Sequence, residues 1–203
     1  MIYRDAVKCA RQIADHPSIT TRPNPHNGDV ISEKSIQAVI SGMKSVPILC
    51  YQLRDPFQTH GLNLGNEKIF KVFISEGQSN CWKRFTLVKE MLHLFFPSGV
   101  RTPMHRLLAD ARASRFPNGG GEEISMELAA LVAAMELLLP WKKRQEIGDR
   151  YYNDGQTYNQ IAHELLIPWE IVEQFYSKDY NYAYTSWQAN MALDHGDPTP
   201  FAY

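Results

Sequence analysis

The stretch Lys89-Glu90-Met91-Leu92-His93 decides how this chain is read. It differs by one residue from His-Glu-x-x-His, a helical pattern that sets two imidazoles at i and i+4 on one face to hold zinc, with the Glu between them as general base. Glu90 and His93 stand where that chemistry needs them. Position 89 instead carries an ammonium, which cannot ligate a metal while it is protonated. The flanks are those of a core helix. Arg84-Phe85-Thr86-Leu87-Val88 leads in and Leu94-Phe95-Phe96 follows, so Phe85, Leu87, Val88, Met91, Leu92 and Phe95 make a broad apolar side. Pro97 and Gly99 stop the helix.

A second segment begins 34 positions past His93: Glu127-Leu-Ala-Ala-Leu-Val-Ala-Ala-Met-Glu-Leu-Leu-Leu-Pro140. It reads as a small-residue helix closed by proline. Its alanines let another helix or a sheet approach closely, and Glu127 at its start can point into the resulting cleft.

With both segments in view, the chain resembles the ImmA/IrrE family of zinc metallopeptidases. That family shows a lead-in like Arg-Phe-Thr-Leu-Ala before His-Glu-x-x-His. It then has a Glu-x-x-Ala-Asn-x-Phe-Ala-Ala-Glu-Leu-Leu-Met-Pro helix whose first Glu is the third zinc ligand. Arg84-Phe85-Thr86-Leu87 matches the lead-in, Glu90 the general base, His93 the second ligand and Glu127 the third. Ala130 matches the family's Ala, and Ala134, Glu136, Leu137, Leu138 and Pro140 match the ending. Among the departures are Lys89 for the first ligand, Leu131 for the Asn, Ala133 for the Phe and Met135 for the second Ala. The resemblance spans about residues 46 to 176. It implies an α+β fold, with a small antiparallel sheet packed against the central metallopeptidase-type helix and a group of helices after it.

Composition sets the outer bounds. At 203 residues and 44% hydrophobic the chain can bury one substantial core. A formal charge of −1 and a pI near 6.7 give no overall pull toward nucleic acid or anionic membrane. Cys9, Cys50 and Cys81 are odd in number, far apart and free of Cys-x-x-Cys spacing, which suits buried thiols in a reducing cytoplasm. No apolar run approaches the ~20 residues of a membrane span, and Met1-Ile-Tyr-Arg-Asp lacks a signal peptide's apolar region. The expectation is a cytoplasmic protein.

Along the chain, residues 1–45 read as N-terminal helices and linker: an amphipathic helix over 2–15, a Pro/Gly loop from Thr20 to Asp29, and a helix from the N-cap Ser32 to about Met43. The resemblance implies a metallopeptidase-type domain over residues 46–176. Val46–Arg54 and Glu67–Ser75 have strand character, with His60-Gly-Leu-Asn-Leu-Gly65 as a short middle strand of an antiparallel meander. Residues 98–122 are loop-rich, a candidate lid, with a helix expected from Met104 to Arg115. Short helices are expected at about 141–152, 157–166 and 168–176. The tail, 177–203, carries Tyr180, Tyr182 and Tyr184 in an alternation that suits an extended segment on the protein's own surface or on a partner.

If the fold that the resemblance implies is kept, Lys89 leaves its helix on the same face as His93, toward Glu127, and can pair with Glu127 or Glu90 in place of a metal's charge. The function expected is a pseudopeptidase that has lost zinc and binds a protein partner. The resemblance implies a phage, mobile-element or stress regulatory setting, because active members cleave repressor or antitoxin-like proteins. A rival is a zinc endopeptidase with a rebuilt ligand set, in which His93 and Glu127 are joined by His60, His105 or His163 and Glu90 serves as base only once zinc is bound. A third reading is DNA binding through the helix-turn-helix cadence of residues 156–176. There Glu170 and Glu173, with no Lys or Arg, argue against insertion into a groove. Lys142-Lys143-Arg144, diluted by Glu146 and Asp149, reads as a solvated face.

Overall fold

The computed structural model describes residues 2–24, 29–54, 61–66, 68–98, 108, 122–178 and 180–186. In chain order these form α1 (Ile2–Ala14), β1 (Thr21–Pro23), β2 (Asp29–Ile31), α2 (Glu33–Lys44), β3 (Ile48–Leu53), β4 (Gly61–Asn66), β5 (Ile69–Ser75), α3 (Asn80–Leu92), α4 (Glu122–Leu138), α5 (Trp141–Asn153), α6 (Tyr158–Leu165) and α7 (Trp169–Phe175). Residues 180–186 add a further helical stretch. The class is mixed α+β, with helices around two small sheets. None of the described helices is long and apolar enough to cross a membrane.

Helix α4 is the axis of the core: from Glu127 to Leu139 every side chain is buried. Its alanines accept α1, whose own Ala6 and Ala10 face inward, so the two helices pack closely. A helix from the N-terminal segment therefore fills the place the alanine run left open. Core residues extend from Tyr3 to Tyr184, across the boundaries expected at 45 and 176.

The three-stranded sheet corrects the expected meander. Its order is β3-β5-β4, with β3 parallel and β4 antiparallel to β5. The segment expected as the middle strand is thus an edge, and the last strand in sequence takes the centre. Burial explains the choice. β5 alternates strictly, burying Phe70, Val72 and Ile74, and so gains most from neighbours on both sides. β4, Gly-Leu-Asn-Leu-Gly-Asn, has little apolar surface to bury and stays at the rim. The inner face of the sheet packs on α3.

The 20–29 loop is partly a hairpin, β1 against β2. Buried Arg84, in the lead-in to the site, clasps it to the last helices. Its Nη2 donates to Ile31 O at 2.9 Å and its Nη1 to Leu165 O at 3.1 Å, while Nε lies 3.0 Å from Glu33 Oε1. Burial pushes this guanidinium down to about 10 even with Glu33 beside it. Asn24 Nδ2 also donates to the His163 and Glu164 carbonyls, so the open C-terminal end of α6 is capped by groups far away in sequence. Residues 158–175 are thereby tied into the fold.

Two expectations about charge and tail are corrected. Arg144 is not solvated: with Ile147 and Gly148 it lies on the buried face of α5, while Lys143 stays outside and pairs with Glu146 at 2.8 Å. The start of the tail is helical rather than extended. Tyr180 and Tyr184, four apart, are fully buried, and Tyr182 between them is 83% exposed. The segment 98–122, with its expected helix, lies outside the described residues apart from Ser98, the buried Leu108 and the backbone at 122; residues beyond 186 lie outside as well.

Candidate functional site

Two helices bring the predicted residues together, and a strand adds Asn63. Ser79 caps α3, its side chain accepting from Trp82 N–H, and the helix then runs to His93, which is its C-cap. The i, i+4 spacing sets Lys89 and His93 on one face, with Glu90 beside them. Glu127 arrives from α4 and Asn63 from β4. Lys89, Glu90, His93 and Glu127 are all buried.

Lys89 Nζ is the hub. It lies 2.8 Å from Glu127 Oε2, 3.2 Å from Glu90 Oε1 and 3.2 Å from His93 Nε2. An ammonium has three N–H donors, and here each has an acceptor. His93 Nδ1 donates to Phe96 O at 2.9 Å, which leaves the Nε2 lone pair for Lys89 and makes the imidazole neutral. Burial, and then the Lys89 charge, hold its pKa below the ordinary histidine value. The second oxygen of Glu90 accepts from Asn63 Nδ2 at 2.6 Å.

The electrostatics follow from this geometry. Burial alone would depress Lys89, but Glu90 and Glu127 prevail and raise its pKa. Burial would likewise raise Glu90, but Lys89 and the Asn63 hydrogen bond hold it below the ordinary carboxylate value. The ammonium therefore stays protonated. It offers no lone pair to a metal or an electrophile, and both oxygens of Glu90 are engaged. The residues present do not fit a zinc ion: two ligand positions surround a cation where a third ligand would stand.

β4 reaches the site because residue 61 is glycine. A Cβ there would collide with Thr86 Cγ2 and lie 3.0 Å from Glu90 Cγ, so a side chain could enter only if the strand or its neighbours shifted. Neither Gly61 nor Asn63 was singled out by sequence reasoning; no local pattern marks a rim strand whose partner lies 27 positions away. Of the histidines weighed as replacement ligands, His60 and His105 lie outside the described residues. His163 is exposed on α6.

A second buried ionic cluster, also missed, sits further along α4. Glu136 Oε1 accepts from Tyr180 Oη at 2.7 Å and lies 3.0 Å from Arg144 Nη2. The Arg144 guanidinium lies 4.4–5.4 Å from the ring centres of Tyr184, Trp141, Phe175 and Tyr180. Arg11 on α1 donates to Tyr184 Oη at 3.2 Å. The signal was present in the sequence, since Trp141, Arg144, Ile147 and Gly148 recur at helical spacing and put Arg144 on the inward stripe.

No protein-family model matches this chain and no curated protein matches it, so the resemblance to the ImmA/IrrE family is carried by the motif residues of the sequence alone.

Proposed function

We propose that this chain is an ImmA/IrrE-like pseudopeptidase that does without zinc and acts by binding a protein partner in a phage, mobile-element or stress regulatory pathway. The observation that carries the reading is the position of Lys89 Nζ, 2.8 Å from the carboxylate of Glu127 and 3.2 Å from His93 Nε2. A fixed positive charge stands among the residues that the family pattern assigns to the metal. It leaves Glu90 as an ion-pair partner with no metal-bound water to activate. The partner class follows from the resemblance, whose active members cleave repressor or antitoxin-like proteins.

The test is elemental analysis of protein purified without chelator, beside the Lys89→His variant. Wild type is expected to carry no zinc, and the variant one zinc per chain. A repressor- or antitoxin-like partner would stay intact on wild type. One zinc per chain in wild type would overturn the reading in favour of an endopeptidase with a rebuilt ligand set.

A further inference from the structure

The edge of the sheet away from β4 is formed by β3, Ile-Leu-Cys-Tyr-Gln-Leu, and five of its six residues are exposed. Proteins normally blunt such an edge with charge, proline or a bulge. Between Ile48 and Leu53 there is no charge and no proline, and the pairing with β5 is unbroken over six residues. Leu49, Tyr51 and Leu53 share the outer face at 39–42% exposure, with Tyr51 stacked on Phe73 at 5.2 Å and Leu64 of β4 exposed beyond.

Hydrogen bonding states which groups are free. Phe70 N–H donates to Pro47 O and Glu76 N–H to Leu53 O, bracketing the parallel ladder. Alternation then turns the main-chain groups of Leu49, Tyr51 and Leu53 toward β5, and those of Ile48, Cys50 and Gln52 toward the open edge. Ile48 O already accepts from Gln37 Nε2 at 2.8 Å. The donor–acceptor pairs left open, among the described residues, are those of Cys50 and Gln52.

We propose that β3 is a self-association edge: two copies of the chain pair their β3 strands antiparallel about a two-fold axis at Tyr51, joining three strands from each copy into one sheet. This register matches Cys50 of each copy with Gln52 of the other, so both exchange their N–H and C=O bonds. It sets Leu49 against Leu53 and Tyr51 against its own counterpart on the outer face, with no like charges opposed. A slip of two residues in one direction would call on the Ile48 carbonyl that Gln37 occupies. A slip in the other would run onto Arg54, past the end of the strand. The strand is thus complementary to itself in one register. Pairing there leaves both β4 edges and both Lys89 clusters free, so the inference is independent of the pseudopeptidase reading.

Sedimentation equilibrium on the full chain over a concentration series is expected to show a reversible dimer. Tyr51→Lys, which opposes two ammonium groups on the axis, is expected to give a monomer with an unchanged far-UV spectrum and melting temperature. The register is read with cysteines in a Cys50→Ser, Cys81→Ser background. Under oxidation Tyr51→Cys links to itself, because a residue on the axis faces its own copy at disulfide distance. Leu49→Cys alone does not link, but joins Leu53→Cys when the two are mixed. A chain that stays monomeric at its highest soluble concentration would overturn the proposal. So would a dimer in which Tyr51→Cys fails to link and Tyr51→Lys changes nothing.

Discussion

Helix α4 carries two buried carboxylates, Glu127 and Glu136, and the molecule neutralises them in different ways. Around Glu127 the cation is a compact ammonium with every donor spent on an acceptor: Glu127, Glu90 and His93. Around Glu136 it is a flat guanidinium enclosed by four aromatic rings, and Arg144 Nε and Nη1 find no hydrogen-bond acceptor among the described residues. The first arrangement is a shell of polar acceptors converging on one ammonium. The second is a packing device that fastens α1, α5 and the helical stretch 180–186 onto α4. Two ion pairs of similar burial thus have different surroundings and different consequences.

The largest test of this contrast is to remove each cation. Lys89→Ala and Arg144→Ala each strand a buried carboxylate and are expected to destabilise the protein by ~3–5 kcal/mol, measured by urea unfolding. The difference lies in the repair. Lys89→Met combined with Glu90→Gln and Glu127→Leu should recover most of the loss, the remainder being the His93 Nε2 acceptor left without a donor. Arg144→Met with Glu136→Leu should recover less, having also lost the stacking of four rings. An unchanged midpoint for Lys89→Ala would end the claim that Lys89 is needed by its neighbours.

Next in size are the single hydrogen bonds to each carboxylate. Tyr180→Phe removes the donor to Glu136, and Asn63→Ala the donor to Glu90; each is expected to cost ~1.5–3 kcal/mol, with Tyr180→Phe the larger because its site is drier. Gly61→Ala should cost ~1–3 kcal/mol by forcing β4 away from Thr86 and Glu90, with hydrogen exchange accelerating first in residues 61–66. Exchange rates unchanged there would mean that the strand is not held by this contact.

The subtlest expected difference is in pH dependence, and the two clusters differ in sign. Burial opposes it, but Lys89 and Asn63 hold the Glu90 carboxyl below its ordinary 4.5, so its contribution is present above that pH and is lost as pH falls through the folded value. Burial holds Glu136 above 4.5 despite Arg144; the folded state then binds the proton more readily, and stability declines as pH rises from 4.5 toward the folded value. Melting temperature against pH should therefore lose part of its acid fall in Glu90→Gln. In Glu136→Gln it should lose a decline on the less acid side. Profiles displaced in the same direction would contradict the contrast.

Much of the first cluster was legible in the sequence. The i, i+4 spacing set Lys89 and His93 on one face, and the resemblance brought Glu127 from the alanine-rich helix to join them. The boundaries of α1, α5, α6 and α7 were also close, because periodicity and capping act locally. What was not legible depended on distance. Sheet order follows from how much each strand can bury, and β5 takes the centre through contacts no single strand reveals. Asn63 and Gly61 sit on a strand with almost no pattern of its own. Arg144 was hidden by its neighbours, since a run of three basic residues reads as solvent-facing until the helical stripe is counted. The tyrosines at 180, 182 and 184 look like a strand, and it is the aromatic nest around Arg144 that selects the helical pair.

The central claim is that the Lys89 ammonium serves as the cation that its carboxylates need in place of a metal. It is tested most directly by the melting temperature of wild type and Lys89→His, each with zinc and with chelator. Wild type is expected to melt at the same temperature in both. Lys89→His should be destabilised in chelator and regain stability with zinc, by ~2.7 kcal/mol when free zinc is 100 times its dissociation constant. A wild type that loses stability in chelator, or a Lys89→His variant indifferent to zinc, would contradict it.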